Sequence, residues 1–155
     1  MVIDSTHFVV SYRDTDNSGY GTAIIGTITN GNEISFGSEY VFNADNTAYV
    51  STYKIDTTHF IVSYQDVNNS DAGTSIVGTI ANGNEISFGS GYVFNATSSL
   101  YNKVVVIDST HFVVSYYDGG NSKYGKAIWI YLLFKNTNIS TYHSSNNDWC
   151  FYGIC

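Results

Sequence analysis

Ile3-Asp4-Ser5-Thr6-His7-Phe8-Val9-Val10-Ser11-Tyr12 returns as Ile55-Asp56-Thr57-Thr58-His59-Phe60-Ile61-Val62-Ser63-Tyr64. It returns once more as Ile107-Asp108-Ser109-Thr110-His111-Phe112-Val113-Val114-Ser115-Tyr116, so the repeat period is 52 residues. A repeat of this length is one supersecondary unit that buries its apolar faces by stacking on its neighbours. Within the unit the apolar positions alternate with period two, the signature of a strand. Phe8, Val10 and Tyr12 fall on one face, His7, Val9 and Ser11 on the other. Because both faces carry apolar groups, the strand is expected inside a sheet that is packed on both sides.

The next run, Thr22 to Ile28, is again β-branched and contains Gly26, repeated as Gly78. Glycine inside a strand marks close approach by a neighbouring backbone or ring. Asn30-Gly31 and its copy Asn82-Gly83 each separate two such runs, which predicts hairpins with type I′ turns. The strand from Glu33 to Phe36 meets Gly37-Ser38, a predicted bulge, before Tyr40-Val41-Phe42. A fourth run precedes each following unit, Ala48 to Tyr53 and Leu100 to Val106. Four short antiparallel strands in about 50 residues predict an all-β fold built from β-propeller blades, about three of them. A sandwich domain of about 100 residues is twice this period, and a solenoid coil repeats at a shorter one.

The chain divides at residue 128. Residues 1–128 carry the tandem repeats, starting at 3, 55 and 107, and residues 129–155 form a divergent tail. There Trp129-Ile130-Tyr131-Leu132 replaces the pattern Ile25-Gly26-Thr27-Ile28, and no Asn-Gly turn follows. A cap, a frameshifted segment and a natural truncation are the three readings, and the sudden loss of register favours the second. Opening in mid-repeat, the chain reads as a fragment. A ring of propeller blades needs at least four, so a homo-oligomer or further blades are expected in place of a closed monomer.

Charge and composition exclude several functions. Ten acidic residues up to Asn102 face Arg13 and Lys54 alone, and nothing forms a basic stripe, so nucleic-acid binding is not expected. The longest apolar run, Ala127 to Phe134, is far below the roughly 20 residues of a membrane-spanning helix. Met1-Val2-Ile3 runs straight into the repeat, so no signal peptide is expected in this chain. Cys150 and Cys155 lie close together at the end, where a disulfide would close a small loop and stabilise little.

The block Tyr12-Arg13-Asp14-Thr15-Asp16-Asn17-Ser18-Gly19-Tyr20-Gly21-Thr22 and its two echoes resemble the strand-turn-strand signature of bacterial secreted or surface β-propeller repeat proteins. That resemblance covers residues 1–128 and implies an extracellular or cell-surface location. A looser similarity links the turn to the Asp-box of sialidase-type propellers. The aromatic expected after that box is replaced by Ala23, Ser75 and Ala127, and sialidase activity is not carried over. Asp14, Asp16 and Ser18 are similar to the calcium loops of integrin-type propellers.

Asp14, Asp16 and Ser18 place oxygen ligands at alternate positions, as a calcium loop does. The preferred reading is a structural turn, with Asp and Asn side chains bonded to nearby amides. His7, His59 and His111 recur without further metal ligands at zinc spacing, and are expected to pack their rings and bond a backbone carbonyl. Tyr20, Tyr49, Tyr101 and Tyr124 stand in polar surroundings and are the candidate ligand-binding residues, since tyrosine offers a flat apolar face and a polar tip. No catalytic residue and no cofactor is predicted. A non-catalytic binding or scaffold module contacting glycans or proteins is the preferred function, and a fragment of a propeller-type carbohydrate hydrolase is the alternative.

Overall fold

The computed structural model describes residues 1–120, 124–135 and 138–143, and every regular element among them is a β-strand. In chain order these are β1 (His7–Asp14), β2 (Tyr20–Thr29), β3 (Glu33–Lys54), β4 (His59–Asp66) and β5 (Ala72–Ala81). They continue as β6 (Glu85–Phe88), β7 (Tyr92–Val106), β8 (His111–Asp118), β9 (Tyr124–Lys135) and β10 (Asn138–His143). Pairing is antiparallel throughout and follows one open path, β1-β2-β3-β4-β5-β7-β8-β9-β10, with β6 beside β5.

Two strands are long because each belongs to two layers. β3 pairs with β2 up to Asn46 and with β4 from Thr47 onward. β7 pairs with β5 up to Ser98 and with β8 from Ser99 onward. The sequence predicts separate runs here, whereas the backbone of β3 runs through them without a break. Each crossover is stitched by a repeated asparagine. Asn43 Nδ2 donates to Thr47 Oγ1 at 3.0 Å, and Asn95 Nδ2 donates to the Thr97 carbonyl at 3.1 Å. The Thr47 amide donates to the Gly19 carbonyl at 2.9 Å, and the Ser99 amide to that of Asp71 at 3.0 Å.

The hairpins obey their turn residues. Asn30 and Gly31 both lie at positive φ, as do Asn82 and Gly83, which is the requirement of a type I′ turn. Asn30 Nδ2 and Asn82 Nδ2 donate to Glu33 and Glu85 across the turn. The predicted bulge is present, since the register jumps from Ile24↔Glu39 to Gly26↔Phe36 around Gly37-Ser38.

Alternation sets up two cores between three layers. Val9, Ala23, Ile25 and Phe42 of the first layer pack on Phe60, Val62, Tyr64 and Ile76 of the second. The opposite face of the second layer, with Ile61, Val77 and Phe94, packs on Phe112, Val114 and Tyr116 of the third. Phe8 and Tyr12, the first-repeat counterparts of Phe60 and Tyr64, have no such layer over them and stay half-buried. β9 runs past residue 128 to Lys135, and β10 pairs with it from Asn138↔Lys135 to His143↔Ile130. Cys150 and Cys155 lie outside the described residues.

Candidate functional site

Strand β3 carries a bulge where its register jumps from Ala48↔Gln65 to Ser51↔Ser63, and β7 has one between Leu100↔Tyr117 and Lys103↔Ser115. Two residues then oppose one, and the local bend re-aims a side chain. The re-aimed residues are Tyr49 and Tyr101, at φ 50° and 55°. Left-handed backbone is costly for a bulky residue, by about 1–2 kcal/mol, and such strain concentrates at functional positions. Tyr49 and Tyr101 are 40% and 65% exposed, so core burial does not repay it. Instead their rings meet, centroids 5.0 Å apart and planes at 64°. Tyr117 extends the strip, 6.4 Å from Tyr101.

Beside the strip Asn102 is buried, 1% exposed, and its Oδ1 accepts from Ser99 Oγ at 3.0 Å. Its Nδ2 has no partner among the described residues. Asp118 is saturated. Lys126 Nζ lies 3.0 Å from it, and Thr97 Oγ1 and the Gly120 amide donate to its Oδ1, each at 3.1 Å. Burial works against ionisation of this carboxyl, but Lys126 and Thr97 outweigh it and its pKa falls below the ordinary value.

The other two candidate tyrosines open β2 and β9. Tyr20 pairs with Asp14 in the first layer and Tyr124 with Asp118 in the third, with Ala72 at the equivalent place between them. Tyr117 carries no repeat signal, since Arg13 and Gln65 occupy its equivalent positions.

The loop after β1 is held as a turn. Asp14 Oδ1 accepts from the Asp16 and Asn17 amides at 3.1 and 3.2 Å, and the Gly19 amide donates to the Asp14 carbonyl at 2.7 Å. Ser18 takes positive φ, 55°. Among the described residues no three His, Cys, Asp or Glu side chains converge as metal ligands.

Nδ1 of His7, His59 and His111 faces the carboxylate three residues back, at 3.1, 2.9 and 2.8 Å, a partner that the sequence reading does not name. The same aspartate Oδ1 accepts from the backbone amides of the threonine and histidine, so one carboxylate organises the whole turn.

These turns make stability depend on acid. The Thr6 amide and then the His7 ring hold Asp4 down at about 2, below its ordinary 3.8. Asp108 is held well below that value by the Thr110 amide and the His111 ring. Burial pushes Asp56 upward, but its amide and ring donors win and the net direction is down. A folded-state pKa below the unfolded one gives stability that is present above about pH 4 and is lost as pH falls towards 2. Thermal melts from pH 6 to 2 are expected to show the melting temperature dropping inside that window. The triple variant Asp4→Asn, Asp56→Asn, Asp108→Asn should show a shallower drop, and an unchanged slope would dismiss the turns as its origin.

No family model matches the chain, and comparison with curated proteins and with solved structures gives no match either.

Proposed function

We propose that the chain is a non-catalytic binding or scaffold module built of propeller-type blades, part of a secreted or cell-surface repeat protein, and that its tyrosine strip contacts glycans or proteins. The observation that carries this reading is the pair Tyr49–Tyr101, two exposed rings in contact although each sits on unfavourable backbone. Repetition 52 residues apart sets both rings at the same bulge in adjacent layers, so further units would lengthen the strip. Flat aromatic faces with polar tips suit sugar rings and protein loops alike. The turns that recur in every unit supply symmetric scaffolding, and Asp118, the most buried carboxylate near the strip, is already neutralised by Lys126.

Tyr101→Gly separates binding from folding. Glycine relieves the positive φ, so the melting temperature should hold or rise. Affinity for a ligand found in a glycan array and a protein panel should fall at least about tenfold, as truncating an aromatic anchor does. Lost stability with intact binding would make the ring structural and end this reading. Screening glycosidase substrates in parallel tests the hydrolase alternative, which turnover abolished by one substitution would install instead.

A further inference from the structure

We propose that copies of this chain stack head to tail, the outer face of the first layer of one copy seating on the outer face of the third layer of the next. The internal repeats show what covers each face. In the second layer, Phe60, Val62 and Ile86 are buried against Val9 and Ile25 of the layer before. Their first-layer counterparts 52 residues earlier are Phe8, Val10 and Ile34, and around them Val10, Ile34 and Phe36 are 38%, 58% and 59% exposed. An apolar row of this kind on a surface marks an interaction site.

The complementary face lies at the other end of the same stack. Val9 pairs with Ile25, Ile61 with Val77 and Val113 with Trp129, so these pairs occupy one position in three successive layers. The first two pairs are buried under the following layer, whereas Trp129 is 41% exposed. A contact between them repeats, between molecules, the packing already present twice within one. Because the two faces differ, the interface is heterologous and generates either a closed ring or an open series.

One polar group tempers the face. Tyr12 Oη donates to Glu39 Oε1 at 2.6 Å, where the second repeat has Gly91. Burial and then the bond to Glu39 push the Tyr12 hydroxyl up to about 12, so it stays a donor at neutral pH. Glu39 is exposed and places one charge beside the apolar row.

Light scattering after size exclusion, on the full chain from about 1 to 200 µM, should show mass rising above the monomer. Phe36→Asp on the first face and Trp129→Glu on the last should each be monomeric, with Val10→Lys and Ala127→Arg as second variants if either fails to fold by circular dichroism. Mixing one variant of each face leaves one intact face of each kind, so a one-to-one heterodimer and nothing larger is expected. A wild-type chain that stays monomeric throughout overturns the proposal. So do paired variants that remain apart on mixing, because like faces would then be meeting or neither face is used.

Discussion

Phe60→Ala is expected to cost about 3–5 kcal/mol of unfolding free energy, as truncation of a fully enclosed phenylalanine does, while Phe8→Ala costs no more than about 2 kcal/mol. The two residues hold the same place in successive repeats and have the same local company. Phe60 meets Phe88 edge-on at 5.9 Å, and Phe8 meets Phe36 edge-on at 6.1 Å. What differs is the covering layer. Phe60 is 0% exposed beneath Val9 and Ile25, whereas the ring of Phe8 has nothing from a preceding layer above it. The contrast therefore isolates inter-layer packing from everything inside a repeat. A loss of 3–5 kcal/mol is a large share of the 5–15 kcal/mol that holds a typical domain together. Denaturant melts, run at a concentration where light scattering gives the monomer mass, measure both variants. Equal losses would mean that the layers do not pack on each other in solution.

Much of this architecture was legible because the repeat states it three times. His7–Tyr12 pairs with Thr22–Ile28, and that strand with Glu33–Phe36, as alternation and the Asn-Gly turns predict. Turn geometry was readable wherever a glycine or asparagine supplied positive φ. It was unreadable at Tyr49 and Tyr101, where a tyrosine takes that conformation against its own preference, so recurrence revealed the residues and not the bulge. Tyr117 was invisible for a different reason: its neighbours in the strip come from another strand, and no repeat copies it. Nor could the sequence show that β3 crosses from one layer to the next as a single strand, because the apolar runs Tyr40-Val41-Phe42 and Ala48 to Tyr53 are separated by the polar stretch Asn43-Ala44-Asp45-Asn46-Thr47. The Asn43 bond to Thr47 that braces the crossover connects residues four apart, a pattern without periodicity.

Gly78→Ala is expected to cost about 1–3 kcal/mol, the strain of overfilling a packed core, and Gly26→Ala to be close to neutral. Gly78 is not at positive φ, so backbone strain is not the cause. A Cβ there would lie 2.3 Å from Cζ of Phe60, whose ring rests flat over the glycine, and Gly26 has the same relation to Phe8 at 2.3 Å. Steric conflict is thus equal in the two repeats, and the freedom to escape it is not. The Phe8 ring can swing outward, whereas that of Phe60 is shut in by the first layer. Alanine also restricts the unfolded chain, a gain of about 0.4–1 kcal/mol that offsets the mild strain at Gly26. The third repeat shows another solution, with Ile130 opposite Phe112 and both side chains buried. A side chain is accepted at this position when the ring is placed elsewhere, so the cost at Gly78 belongs to the pair and not to the glycine. Shortening the ring should relieve it: in a double-mutant cycle Gly78→Ala with Phe60→Leu should cost less than the sum of the single changes, by about 1 kcal/mol. Strict additivity would show that the ring does not rest on Gly78 in solution.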